Sequence, residues 1–322
     1  MGPPSGQARR RLPKNPRACD IPRMSEAERR ARWTVRELLA WTSERFAALG
    51  IDEARVDAEH LLARSLGCAR IDLYVQHDRL LDEDDRAGFR ELVRRRLARE
   101  PVAYIEGSKG FHALDLDLVV DRRVLVPRPE TEHLVDWLLE SLRPAPAPLM
   151  HILDVGTGSG AIALAVAKAR YEVQVTAVDA SEEALAVARH NAERLGLDDR
   201  VTCVRGDLLD GVALPPAGFD AIAANLPYIP SAELDRLQPE VRDWEPRAAL
   251  DGGPDGLVYV RRLIDAVAEG EALRPGGRLF LEIGVDQAQA VEQLLRDRAF
   301  ADVQSRLDYA RIPRVVSGAR PE

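Results

Sequence analysis

Four short stretches carry residue types that can do chemistry, and each follows an apolar run. The first is Asp154-Val-Gly156-Thr157-Gly158-Ser159-Gly160. Glycines let the backbone pass close to a ligand, and a helix starting there adds N–H donors and a positive dipole end. A cofactor carrying a negative charge is implied, although Gly156-x-Gly158-x-x-Ala161 also fits a dinucleotide fingerprint or a plain tight turn. The second is Asp179, 23 residues after Gly156. A carboxylate at that point accepts from two ribose hydroxyls, in NAD or in S-adenosylmethionine. The third is Gly206-Asp207-Leu208. Here Asp207 either accepts from an adenine amino group, with Leu208 against the ring, or caps a helix.

The fourth stretch is Asn225-Leu226-Pro227-Tyr228, closing the run AIAAN. The Asn225 side-chain carbonyl and the Leu226 backbone carbonyl are two acceptors for a planar NH2 group. Pro227 sets the turn, and Tyr228 offers a flat face for stacking. Such a site suits alkylation of a planar nitrogen whose lone pair is delocalised: the N–H side is held and the lone pair is aimed at an electrophilic methyl. The motif contains no His, Lys or Glu to act as a general base. A strand-ending turn would also use Asn-x-Pro, so the motif acquires meaning from its neighbours.

The elements needed to position these residues are legible. From Met150 onward strands and helices alternate. Strands are expected at HILDV, EVQVTAVD, VTCVRGD, FDAIAAN, GRLFLEIG and ADVQSRLD, and helices from about Gly160, Glu182, Leu257 and Gln287. This alternation predicts a mostly parallel sheet covered on both faces, with ligands at the carboxyl ends of its strands. The four stretches then fall on successive strand ends, in the order of a class I S-adenosylmethionine-dependent methyltransferase.

Upstream, Thr34-Val-Arg-Glu37 reads as a capping box opening a helix that Gly50 stops. Further helices are expected over about 52–66 and 82–99, giving a helical N-terminal domain at 33–105. Within it His60, His77 and the Arg94-Arg95-Arg96 run read as structural or solvated. Residues 106–130 read as a β-hairpin linker with its turn at Asp121-Arg122. Glu130 or Thr131 is placed to open the next helix, and 131–322 is the catalytic domain. Residues 1–32 are expected to form a disordered tail, and Met24 is an alternative start.

Composition narrows the function. At 322 residues, 46% hydrophobic and 30% charged, the chain has ordinary globular content for two domains. A formal charge of −8 disfavours stable nucleic-acid binding. Three dispersed cysteines offer neither a disulfide framework nor a metal site, and no transmembrane run is present, so a cytoplasmic location is expected.

The chain resembles the HemK/PrmC family of protein-(glutamine-N5) methyltransferases from about Thr34 to its end. The resemblance is carried by Pro101-Val-Ala-Tyr-Ile105, Gly107 and Phe111, by Val124-Leu-Val-Pro-Arg-Pro-Glu-Thr-Glu132, and by the glycine loop to Ala163. It continues through Leu237-Gln-Pro-Glu-Val-Arg-Asp-Trp-Glu-Pro246 and Ala249-Leu-Asp-Gly-Gly-Pro-Asp-Gly256. Pro-Arg-Pro-Glu-Thr-Glu discriminates most, since generic methyltransferases lack it. The resemblance implies a seven-stranded Rossmann-like domain, S-adenosylmethionine as cofactor, no metal, and methylation of the GGQ glutamine of peptide-chain release factors. It implies that the helical domain docks the factor; a monomer is expected, although no motif in the sequence specifies the oligomeric state. It places cofactor on Asp154, Gly156–Gly160, Asp179, Asp207, Leu208 and Asn225. Substrate falls on Asn225–Tyr228, with Phe111 and the Pro127–Glu132 segment, Arg128 in particular, on the active-site side of the linker.

One departure stands out: the family usually has Asn-Pro-Pro-Tyr. Leu226 retains the backbone acceptor but removes the restriction that a proline there places on Asn225. Asn-Leu-Pro-Tyr is also the form in rRNA adenine N6-dimethylases, so the tetrapeptide alone does not separate amide from base. Domain order, linker signature and charge favour the amide. The rivals are a ribosomal-protein glutamine methyltransferase, an adenine N6-methyltransferase of nucleic acids, a non-catalytic cofactor-binding module and an NAD oxidoreductase.

Overall fold

The computed structural model describes residues 33–114, 116–143 and 148–322. The tail expected over 1–32 lies outside the described residues. Two units separate between Glu100 and Pro101. In the first, β1 (Trp33–Thr34) pairs with β2 (Leu80–Leu81), around α1 (Val35–Ala48), α2 (Ala54–Leu66), α3 (Arg70–Val75) and α4 (Glu83–Leu97). The Thr34–Glu37 capping box opens α1, Gly67 in the left-handed region closes α2, and Asp82 caps α4. Phe46, Leu61, Leu62 and Phe89 form its core, and the buried Arg96–Asp57 pair at 2.7 Å ties α4 to α2.

The second unit opens with α5 (Val102–Glu106) and a hairpin of β3 (Ser108–Phe111) and β4 (Leu116–Val119). The pairs Ser108↔Val119 and Phe111↔Leu116 put the hairpin's turn between those strands, not at Asp121-Arg122 as the alternation suggested. The alternation misled because it continues past the strand's end. Val120, Val124 and Val126 are buried, but in a separate small core with Tyr104, Ala184 and Val187. Asp121 makes a later turn, its carbonyl accepting from the Val124 N–H at 3.1 Å.

Helix α6 (Pro129–Ser141) begins upstream of both residues expected to open it. Proline at its first position has a backbone angle already suited to a helix and lacks an N–H that would go unbonded there. Thr131 thereby becomes part of the helix, with its hydroxyl free for other work.

Next come β5 (Met150–Val155), α7 (Ala161–Ala169), β6 (Val173–Asp179), α8 (Glu182–Leu195), β7 (Val201–Arg205) and β8 (Phe219–Ala224). They are followed by α9 (Pro239–Arg242), α10 (Val258–Glu269), β9 (Leu273–Glu282), α11 (Ala288–Asp297), β10 (Ala301–Leu307) and β11 (Pro313–Ala319). The seven-stranded sheet has the order β10-β11-β9-β8-β5-β6-β7, and β11 runs antiparallel to both its neighbours. The chain leaves β5 to one side through β6 and to the other through β8, so the switch point lies between β5 and β8. β11 escapes the sequence pattern because it opens on a proline and contains Ser317 and Gly318.

Both sheet faces are buried. Ile152, Ala221, Ala223 and Phe280 pack toward α6 and α7, while Leu153, Ile222, Ala224 and Leu281 pack toward α10 and α11. A central strand buried on both faces reads as a continuous apolar run, and AIAA does so. Among the described residues no helix is long and apolar enough to cross a membrane.

Asn191 on α8 is fully buried and fastens three segments. Its Oδ1 accepts from the Val119 N–H at 2.8 Å, and its Nδ2 donates to the carbonyls of Val119 (3.0 Å) and Ser159 (2.9 Å). The hairpin and the glycine loop therefore share one anchor. Asn191→Leu strands these backbone groups and is expected to lower stability by about 1–3 kcal/mol in urea unfolding. An unchanged midpoint would show that the anchor contributes nothing.

Candidate active site

Three residues of the glycine loop have positive φ: Gly156 at 74°, Gly158 at 57° and Gly160 at 85°. At Gly156 the freedom has a spatial purpose. A Cβ there would lie 3.2 Å from the Leu226 side chain and 3.7 Å from the Asn225 carbonyl oxygen, filling the gap between the ends of β5 and β8. Asp154, fully buried, braces the loop from behind: one oxygen accepts from the Thr157 hydroxyl at 2.7 Å and the Ala163 N–H at 3.1 Å. Burial pushes its carboxyl up to about 7, with the two hydrogen bonds acting in the opposite direction. Its other oxygen has no protein partner.

Asp179 ends β6. Its Oδ2 accepts from the Gly158 N–H and its Oδ1 from the Ser181 N–H, both at 2.9 Å. Each carboxylate oxygen keeps acceptor capacity for a ligand hydroxyl. Asp207 is exposed and pairs with Arg262 at 2.8 Å, while Leu208 is buried beside it at φ 56°. A turn follows, not a helix, which removes the N-cap reading of Asp207.

Asn225 follows β8. Its Nδ2 donates to the Thr131 hydroxyl at 3.1 Å, and no donor among the described residues meets its Oδ1. Leu226 is buried with Val155, Val178 and Leu208, so the side chain standing where the family has proline fills the core beneath the glycine loop. The turn is then clasped from outside. The Ile229 N–H donates to the Leu250 carbonyl at 3.0 Å, and the Gly252 N–H to the Ile229 carbonyl at 2.8 Å. Gln287 Nε2 donates to the Tyr228 carbonyl at 2.9 Å.

A cleft of about 430 Å³ gathers most of these residues. Gly156–Ser159, Asp179, Asp207, Leu208, Asn225, Leu226, Pro227, Arg128 and Thr131 line it, with Tyr259 and Pro246 among the rest of the wall. That volume falls in the range of small-molecule sites. Four expected residues do not line it. Asp154 and Gly160 support the loop from below, Phe111 lies in the apolar core, and the Tyr228 ring lies over Gly284. Burial pushes the Tyr228 phenol up to about 12, Glu282 adding to the effect.

Arg128 faces the cleft but is already engaged by Glu245 at 2.5 Å. Glu245, buried, also accepts from the Val126 N–H, and Arg122 lies 3.9 Å over the Trp244 ring. Burial raises the Glu245 carboxyl, with Arg128 pulling it back. Of Thr131, Glu245 and Glu282, sequence reasoning placed only the first near the site, within the Pro127–Glu132 segment, and gave it no individual role. The first two lie in stretches that carry the family resemblance; Glu282 has no sequence signal of its own.

The donor set fits S-adenosylmethionine. The glycine loop leaves room where a side chain would close it, and Asp179 offers acceptors for a ribose. A methyltransferase-domain family model matches residues 152–244, and a PrmC N-terminal-domain model matches 37–107. The catalytic domain of hMettl16, solved in complex with MAT2A 3'UTR hairpin 6, shares the fold: TM-score 0.51 at 14% identity, over 70% of this chain and 91% of that one. Fold and site together define a class I S-adenosylmethionine-dependent methyltransferase.

The sequence relatives are more specific. The release factor glutamine methyltransferase of Geobacter sulfurreducens is 44% identical over 286 residues, 89% of this chain and 96% of that protein. Its counterpart in Rhodopirellula baltica is 47% identical over 265 residues, 81% and 87% of the two chains. The chain belongs to the release factor glutamine methyltransferase family.

The clasp makes a prediction. A Cβ on Gly252 would meet the Pro227 and Gly256 carbonyl oxygens at 2.7 Å, whereas one on Gly110 would meet nothing within 4 Å. Gly252→Ala is therefore expected to cost about 1–3 kcal/mol in thermal unfolding, and Gly110→Ala much less. Equal melting temperatures would disprove the close approach.

Proposed function

We propose that this protein transfers a methyl group from S-adenosylmethionine to the N5 amide nitrogen of the glutamine in the GGQ loop of a peptide-chain release factor, so supporting translation termination. The observation that carries this reading is Asn225. It stands at the switch point, in one cleft with the glycine loop and Asp179, its amide N–H bonded to Thr131 and its Oδ1 left as an acceptor.

A carboxamide presents two N–H protons in a plane, and two acceptors on adjacent atoms of the chain can hold them. The Asn225 Oδ1 takes one, and the Leu226 backbone carbonyl is assigned to the other. With both protons held, the amide plane is fixed, and the lone-pair orbital, perpendicular to that plane, faces the glycine-loop side of the cleft. The bound cofactor supplies a methyl on a positively charged sulfonium, whose charge disappears on transfer. The protein needs no strong base: the substituted amide sheds its extra proton to solvent, and orientation does the work. Pro227 bounds the amide's face, and Tyr228, off the cleft wall, holds the turn through its carbonyl. Asp179 is assigned to the ribose, and Asp207 with Leu208 to the adenine. Docking of the release factor is assigned to the helical unit, whose match to the PrmC N-terminal domain supports it.

Incubation with labelled S-adenosylmethionine tests the substrate. Label is expected in a release factor, and absent both from the same factor with its GGQ glutamine replaced and from rRNA. Labelling of rRNA alone would overturn the proposal and favour the adenine reading. Asn225→Ala is expected to abolish transfer while cofactor affinity stays within about tenfold, a change under roughly 1.4 kcal/mol. Surviving activity would rule out the amide clamp.

A further inference from the structure

Glu282, the last residue of β9, is 1% exposed, and neither of its carboxylate oxygens meets a donor in hydrogen-bonding geometry. An unpartnered buried carboxylate is costly, so its position calls for a reason. The sheet register supplies the location. Ala224 pairs with Leu281 in parallel, so the next residues, Asn225 and Glu282, emerge side by side at the carboxyl edge. The groups facing Glu282 come from three other elements: Thr131, Glu130 and Arg128 at the start of α6, Arg314 on β11, and Tyr228 on the turn after β8.

The polarity of the chain Glu282–Thr131–Asn225 follows from the chemistry of its members. The Thr131 oxygen accepts from Asn225 Nδ2 at 3.1 Å, so the hydroxyl proton must point elsewhere. An ionised carboxylate can only accept. With Glu282 ionised, its negative charge draws the Thr131 proton to its side, although the two groups are not in hydrogen-bonding geometry. The Thr131 lone pair then faces Asn225, and the Asn225 amide is held with Oδ1 toward the cleft. The flipped amide would present its NH2 to the NH2 of the substrate, donor against donor.

We propose that Glu282 and Thr131 are positioning residues, which fix the Asn225 amide so that its oxygen, and not its nitrogen, meets the substrate. This rests on the amide-methyltransferase reading above. Protonation of Glu282 would release the constraint, since a neutral carboxyl no longer attracts the Thr131 proton and leaves the hydroxyl free to donate to a flipped Asn225. Burial pushes this carboxyl up to about 7, the Thr131 hydroxyl, Arg314 and Arg128 opposing and Glu130 reinforcing the shift. The release therefore falls within a testable pH range.

The test measures kcat, KM for a release factor and cofactor affinity in the wild type, Thr131→Val, Thr131→Ser and Glu282→Gln. Thr131→Val keeps the shape without the hydroxyl and is expected to lower kcat by about tenfold or more, with cofactor affinity within about twofold, as for a lost hydrogen bond felt in the transition state. Thr131→Ser is expected to restore most of the rate. The ratio of Glu282→Gln to wild-type kcat is expected to rise as pH is lowered through about 7, because glutamine has no proton to gain there. Taking the ratio cancels Asp154, whose carboxyl is pushed into the same range. Wild-type kcat in Thr131→Val, or a Glu282→Gln to wild-type ratio that does not change with pH, would overturn the positioning role. Should Thr131→Val fail to fold, the Glu282→Gln pH profile decides alone. A wild type unable to methylate the factor would instead overturn the activity itself, so the two failures are distinguishable.

Discussion

The site depends on the parallel register of four neighbouring strands. Val178, Val155, Ala224 and Leu281 lie in one row across the sheet as hydrogen-bonded neighbours. Whatever follows them in the chain must emerge along one edge: Asp179, Gly156, Asn225 and Glu282. A slip of one residue in any strand would turn its side chains to the other face and withdraw its contribution. That slip is opposed because both faces are buried, and each strand's alternate residues are already committed to different helices. The chemistry is thus held in register by packing far from the cleft.

Packing explains how the departure from the family's usual tetrapeptide is accommodated. Leu226 loses a rigid ring but gains burial among Val155, Val178 and Leu208. The turn is held instead by its surroundings, chiefly the Leu250–Gly252 backbone and Gln287. Gly252 and Gly256 are small because backbone carbonyls occupy the space a side chain would need. The Ala249–Gly256 stretch, distinctive in sequence but chemically mute, is a clasp on the turn after β8.

The linker acts in the same way. Its proline-bracketed segment delivers Arg128 to Glu245 and Thr131 to Asn225. A segment that reads as an entry to a helix is also a wall and an anchor of the cleft. Its proline at the helix start brings Thr131 into the first turn, and this sets where the hydroxyl points.

How much of this was legible follows from the range of each interaction. The sequence by itself determined the alternating elements, the glycine loop, Asp179 and the amide-bearing turn, because these depend on local periodicity and on residue types at strand ends. It also carried the class of protein, since the order of those strand ends is a one-dimensional property. It misplaced the hairpin turn, because Val120, Val124 and Val126 continue a buried alternation into a different core. It did not reveal β11, whose proline is tolerated as the strand's first residue and whose serine and glycine break the apolar pattern. Nor could it reveal Glu282, Asn191 or the withdrawal of Tyr228 and Phe111 from the cleft. Those depend on which side chains meet across the fold, and only tertiary structure decides that, because burial and hydrogen-bond partners are properties of neighbours in space.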